Sequence, residues 1–518
     1  MLAVLAPLAA VAQAAPKVGP AHGTVIVVGG GNWGPEVYQA FIAAAGGPDA
    51  LILDVPNAEG GASYTDANAP EARLWRQNGA NNVHVLFTTD RKLADSDSFV
   101  AMIAHAGGVW FEGGRQFHLV DAYAGTKTEA AFDSVLARGG VVGGSSAGAS
   151  ILGDFLIRGA PSNDNMIMDY PGYEKGFAFL RGVGIDQHVV ARERLSDLAD
   201  SILPKYPKLL GISGDEGTAW VIHGDSARII GRNKAFVYGG HDPTDSGAPF
   251  LTLHPGDRYN LATRRVTHRA IDDSPVSMAF ITSMFKAYET PAAGGATVLV
   301  ARNGEVLIDR SFGIPPQPKY MPTTAVPQLD VGGIAAVYTA LCNQLPPPAA
   351  RGRGRGTPAD TTAAGRGGRA GAPPDSAAAA RAGGAGGGRG RQGNGPPRTA
   401  LQTCVSGRLA TPIGLHRTAA TADGHIQSSV DEMYRLALGL DAPTTYPNVD
   451  YTQGWTADTR NGVARLTAYG TERGTRAAFV RVPDRHATII ILTNDDAADA
   501  RGMADRIFDK LMSGSRGF

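Results

Sequence analysis

Cysteine is scarce in this chain, with Cys342 and Cys404 the only two in 518 residues. Two cysteines make neither a disulfide framework nor a thiolate zinc site, and leave only the option of one bridge in an oxidising compartment. Net charge is missing as well, since 48 Lys and Arg balance 48 Asp and Glu. A neutral chain offers no global attraction to nucleic acid or to an anionic membrane surface, and neither is expected as a partner. Beyond the amino terminus no apolar run approaches the length of a membrane span, so none is expected. The length excludes a single compact core and predicts roughly two to four domains.

Residues 1–15, "MLAVLAPLAAVAQAA", are apolar and then small, with Ala12-Gln13-Ala14 as an A-x-A cleavage pattern. They read as a signal peptide without a basic start, which implies export to the periplasm or the exterior; an apolar disordered end is the alternative. Strand-like runs then alternate with helical patterns: "TVIVVGGG" (24–31), "ALILDV" (50–55), "VHVLFT" (83–88), "GVWF" (108–111) and "GVVGG" (140–144), separated by helices such as "PEVYQAFIAAA" and "TEAAFDSVLARGG". Continuous apolar strands between helices predict an α/β domain over 20–287 with a mostly parallel sheet flanked by helices, and a site at the carboxyl ends of its strands. "YETPAAGG" (288–295) reads as a linker. A smaller α+β domain is expected in 296–345 and 401–518, opening with a hairpin turned by Asn303-Gly304. Between its two parts, 346–400 is almost entirely Gly, Arg, Pro and Ala. Such a composition cannot bury a core and predicts disorder, and without interleaved aromatics its Arg-Gly repeats do not point to RNA.

The stretch "GGVVGGSSAGASILGDFLIRG" (139–159) carries the chemistry. It fits a strand, a sharp turn and a helix from Ala149 towards Ile157. Gly144 and Gly148 bracket Ser146 in G-x-S-x-G, the pattern that lets a strained serine sit at such a turn, whereas Ser145 has Ala147 ahead of it. A following helix start offers N–H groups to an oxyanion. A serine needs a base and the base an orienting acceptor; "GIDQHVVARERLSDL" supplies His188 before an expected amphipathic helix, and "GISGDEGTAWVI" supplies Glu216 beside Asp215. Each residue alone also fits a blander role: solvated serines, a capping histidine, acidic turn residues. A rival reading starts from Gly29, Gly31 and Gly34, a G-x-G-x-x-G after a strand, with Asp54 ending the next strand, which is the dinucleotide-binding pattern. A binding protein with a dead triad is a third possibility.

In order and spacing, "GTVIVVGGGN", "WFEGGRQ", "GSSAGAS", "IDQH", "GDEGTAW" and "PGDRYNLATRR" resemble the cyanophycinase group of the S51 serine peptidases over about residues 23–268. The resemblance implies a fold like the class I glutamine amidotransferases and a hydrolase of peptide or isopeptide bonds that needs no cofactor or metal. It implies Ser146 as nucleophile, His188 as general base, Glu216 as its orienting acid, an oxyanion hole from Ala147 with Gly113 or Gly114, and a cleft lined by Gln116, Asp186, Gln187 and Arg192. It leaves open an acidic or β-aspartyl linkage in the peptide substrate, and a homodimer. Asn32-Trp33-Gly34 stands where that group carries an acidic pair, which also leaves the substrate open. The second half resembles serine β-lactamases and penicillin-binding proteins, through "GATVLVARNGEVLIDRSFG", "PIGLHRTAATADGHIQSSVDEMYRLALGL" and "AAFVRVPDRHATIIILTNDD". Gly333 and Ala336 occupy the positions of the S-x-x-K serine and lysine, so that half is expected to be inert and separable, with all chemistry in the first.

Overall fold

The computed structural model describes residues 17–161, 170–289 apart from 246, 294–313, 328–346, and 398–513 apart from 443, 444, 447 and 473. The expected signal peptide, the centre of the linker and nearly all of the Gly/Arg-rich insert lie outside the described residues.

The first domain is built on a nine-stranded sheet. Its strands β1 (Thr24–Val28), β2 (Ile52–Val55), β3 (Val83–Val85), β4 (Gly108–Phe111) and β5 (Val141–Ser145) run parallel in the order β3-β2-β4-β5-β1, as the alternating pattern predicts. Every residue of β4 and β5 is buried, because helices cover both faces. Helices Pro35–Ala45 and Lys127–Ala137 form where the sequence places them. A second sheet carries three parallel strands, β6 (Gly153–Phe155), β7 (Leu180–Gln187) and β8 (Leu210–Gly214). Antiparallel strand β9 (Thr218–His223) pairs with β1, extending the first sheet.

Two expectations about helices fail. The helix after Ser146 stops at Ser150, after one turn, because 153–155 pair with β7 instead. The apolar spacing from 149 to 157 therefore marks burial in two different elements. No helix follows His188 directly; turns lead to a single π-helical turn at Leu198–Ile202.

The second domain has a six-stranded antiparallel sheet with a core on each face. Alternation decides which side chain goes where: Val298 and Val300 face one core, Leu299 and Ala301 the other. The hairpin Ala296–Arg302 to Glu305–Phe312 turns at Asn303 and Gly304, both with positive φ, as expected. Val276, Ile281, Phe285 and Tyr288 pack into this domain's core rather than that of the first, so the boundary lies earlier than the linker composition suggests. Cys342 and Cys404 form a disulfide across the insert. Among the described residues no helix is long and apolar enough to cross a membrane.

Candidate active site

Ser146 follows β5 at a tight corner, with φ 57 and ψ −114, a conformation that L residues adopt only when the surroundings impose it. The glycines around it make the corner possible. A Cβ on Gly144 would stand 2.1 Å from the Gly148 carbonyl oxygen, and one on Gly148 would stand 2.0 Å from that of Phe111. Ser145 belongs to β5 itself, is 5% exposed and pairs with Val28, so it does not project from the corner.

His188 directly follows β7, also with positive φ, and its amide donates to the Gly29 carbonyl. Its Nε2 lies 2.9 Å from Ser146 Oγ, and its Nδ1 lies 2.6 Å from Glu216 Oε1. Glu216 stands just beyond β8. An ionised carboxylate only accepts, so Nδ1 carries the hydrogen and Nε2 is left free to accept the serine proton. Burial, only partly opposed by the Glu216 hydrogen bond, holds the His188 imidazole below its usual range. Burial opposes ionisation of Glu216, but hydrogen bonds from His188 and His416 outweigh it and hold the carboxyl well below the usual range. All three groups therefore project from the carboxyl ends of parallel strands, where two sheets meet.

The glycine cluster after β1 serves this arrangement. A Cβ on Gly30 would lie 2.2 Å from His188 Cε1, and one on Gly31 would lie 2.7 Å from Glu216 Oε2. The space that a dinucleotide phosphate would need is filled by His188 and Glu216. Asp54, the acid of the rival pattern, is fully buried and cannot meet a ribose. Its neighbour is Glu112, 1% exposed, at the end of β4. Burial first, and the Asp54 charge after it, push the Glu112 carboxyl far above its usual range, so the two acids retain a proton at neutral pH.

Ala147 opens the short helix after the corner, where its N–H has no intrahelical acceptor. Gly113 lies against the serine: a Cβ there would be 3.3 Å from Ser146 Cβ. Gly114 is instead pressed onto the Ala58 carbonyl, so Gly113 is the better placed of the two expected donors.

The expected cleft residues divide. Arg192 is exposed and has no ion pair among the described residues. Asp186 is not free to line a cleft: it is 1% exposed and takes both Nε and Nη2 of Arg158 at 2.9 Å. Gln187 is 3% exposed, with Oε1 3.5 Å from Arg194 Nη1. Gln116 is buried and donates to the Ile157 carbonyl. A residue type placed at the end of a strand does not reveal whether its side chain turns inward, as it does at these three. Arg158, itself buried with positive φ, was missed because a single arginine after a strand carries no periodic signal.

The second domain reaches this site, contrary to the expectation that it stands apart. Asn32 donates to the Thr411 carbonyl, and His416 Nε2 lies 2.9 Å from Glu216 Oε2. Buried Lys234 pairs with Asp309 at 2.8 Å and Asp431 at 3.0 Å. At Gly333, where the resemblance would put a serine, a Cβ would stand 2.6 Å from the Tyr469 carbonyl oxygen. One group of donors among the described residues, Asp330, His425 and Glu472 of the second domain, brings metal-compatible atoms within 4.8 Å of one another, and it includes none of the residues around Ser146.

Residues 25–230 match the family model described as Peptidase family S51. The cyanophycinase of Synechococcus elongatus is 29% identical over 273 residues, covering 48% of this chain and 82% of its own. That of Geminocystis herdmanii is 29% identical over 261 residues, covering 47% of this chain and 95% of its own. The crystal structure of a peptidase from an acI-B1 Actinobacterium aligns with 46% of this chain and 97% of its own, at 22% identity and a TM-score of 0.36. The match over residues 25–230 and the cyanophycinase relatives together support a serine-type peptidase of the S51 kind in the first domain.

Proposed function

We propose that Ser146, His188 and Glu216 are the catalytic triad of an exported peptidase that acts on peptides bearing a free carboxylate beside the scissile bond. The observation that carries this reading is the unbroken hydrogen-bonded line from Ser146 Oγ through both nitrogens of His188 to Glu216. His188 Nε2 takes the hydroxyl proton as Oγ attacks the peptide carbonyl carbon. The carbonyl oxygen becomes an oxyanion facing the N–H groups of Ala147 and Gly113, while Glu216 stabilises the imidazolium. The tetrahedral adduct collapses, His188 passes its proton to the leaving amine, and an acyl ester remains on Ser146. Water, deprotonated by His188, then hydrolyses the ester and restores the serine.

Arg192 and Arg194 support an anionic substrate. The part-buried Arg194 guanidinium is held below its usual range, by burial first and by the charge of Arg158 after it, with exposed Arg192 adding to the repulsion, and a substrate carboxylate would relieve it. The name borne by the relatives suggests an aspartyl-arginine polymer. Here Asn32 is engaged with the second domain where an acidic pair would have to meet arginine, so the reading stops at acidic or β-aspartyl peptides. Export is supported by the A-x-A pattern at 12–14 and by the Cys342–Cys404 bridge. The second domain is read as an inactive relative of the β-lactamase fold, on the strength of its antiparallel sheet between two helical layers and of Gly333.

A peptide-library cleavage profile tests the assignment. Ser146→Ala should lower turnover by several orders of magnitude, as loss of a triad nucleophile does, while Ser145→Ala keeps most of it. Arg192→Ala should raise KM for free-acid peptides by about 1.5–3 kcal/mol more than for their amides. A dead Ser145 variant beside an active Ser146 variant would reverse the reading of the corner.

A further inference from the structure

We propose that His416, carried by the second domain, is a positioning residue of the active site: it holds the second oxygen of Glu216 and thereby makes the second domain part of the catalytic unit. The inference rests on the triad reading above and goes beyond it, because no residue after 230 falls within the family match.

Glu216 has two oxygens and two histidine partners. Oε1 receives His188 Nδ1 at 2.6 Å and Oε2 faces His416 Nε2 at 2.9 Å. A carboxylate held at one oxygen alone can swing about its side-chain bonds. Held at both, it keeps the imidazole of His188 in the plane that Ser146 requires.

His416 is itself fixed before it meets Glu216. Buried Glu432 accepts from the consecutive amides of His416, Arg417 and Thr418 at 3.3, 3.1 and 3.1 Å. Arg435, also buried, donates to the Gly414 carbonyl and to Glu432, and its Nη2 reaches 3.6 Å across the interface to Asp215 Oδ2. Asp215 in turn accepts from the amides of Val190 and Ala191, two and three residues after His188. Both the acid of the triad and the loop that carries its base therefore lean on the second domain. A surface contact formed by chance would not be backed by a buried arginine and glutamate on one side and a buried aspartate on the other.

The arrangement also tunes charge. His416 faces Glu216, Arg435 and Glu432, and beyond Glu216 stand His188, Asp215 and Arg192. A donor or positive charge on Oε2 withdraws some of the negative charge available to His188. His416 thus helps to keep His188 neutral and ready to accept a proton.

The test uses the full chain and the rate at which a fluorophosphonate labels Ser146 per folded molecule, from pH 4 to pH 9. His416→Ala should slow labelling roughly tenfold on the plateau and move the acid limb to higher pH. His416→Gln places an amide N–H near the position of Nε2. It should recover most of the plateau while the limb stays displaced, because the charge is still gone. A His416→Ala rate and limb indistinguishable from wild type would overturn the proposal. So would equal slowing in both variants with an unmoved limb, which is the mark of a merely structural contact. Ser146→Ala and Glu216→Gln run alongside: if either labels like wild type, the triad reading fails rather than the role of His416.

Discussion

At the scale of single residues the protein depends on two strained positions, Ser146 and His188, each at φ above 50 and each placed opposite the other by strand ends. Because burial holds His188 below the ordinary imidazole range, kcat/KM should already be on its plateau near neutral pH and fall only as the solution becomes clearly acidic. The sign follows from the chemistry: the neutral imidazole is the active form, so protonation removes activity. A pH profile on a good peptide substrate checks this, and an acid limb centred well above pH 6.5 would contradict it. Much of this was legible in the sequence. Glycines cannot be read as idle where chain and side chains approach within a few ångströms: Gly30 and Gly31 lie against His188 and Glu216, and Gly144 and Gly148 against the backbone of the Ser146 corner. What was not legible was side-chain direction. Asp186 and Gln187 precede His188 by two residues and one, yet both are buried, Asp186 as the partner of an arginine that no local pattern singles out.

At the scale of elements, the strand β4 ends in a built-in cost. Glu112 enters the interior next to Asp54 and must bring a proton with it. A carboxyl whose folded pKa is raised contributes fully below its unfolded value of 4.5 and loses that contribution as pH rises towards the folded value. The chain therefore becomes less stable from about pH 5 upward on account of this group. Glu112→Gln removes the titration and keeps a donor, so its stability relative to wild type should grow with pH by about 1.4 kcal/mol per unit between the unfolded range and neutrality. Urea denaturation at pH 5, 6 and 7 measures the slope; a constant difference would mean that the pair is ionised. The parallel strands, the long helices and the Asn303-Gly304 hairpin were readable because period and turn chemistry are local. The one-turn helix after Ser146 was not, since residues 151–157 are equally apolar whether they continue a helix or leave it to pair with β7.

At the scale of the whole molecule the two domains are joined by buried charge, which composition alone conceals. Lys234 pairs with Asp309 and Asp431 of the other domain, and Asp215 with Arg435, so a chain cut at the linker would take buried charged partners away from both sides. The sequence signalled a boundary at 288–295, but a linker composition says nothing about whether the faces beyond it are complementary. The disulfide adds a constraint of another kind. Cys342 and Cys404, 62 positions apart, tie the two ends of the arginine-rich insert into a covalent ring. Trypsin acting inside that ring should therefore nick the polypeptide without dividing it: one band without reductant, two with it, and Ser146 labelling that persists in the nicked form. Two bands without reductant would show the bridge unformed. A ring of this kind means that a cut between the two cysteines leaves the residue proposed to brace Glu216 attached to the molecule that needs it.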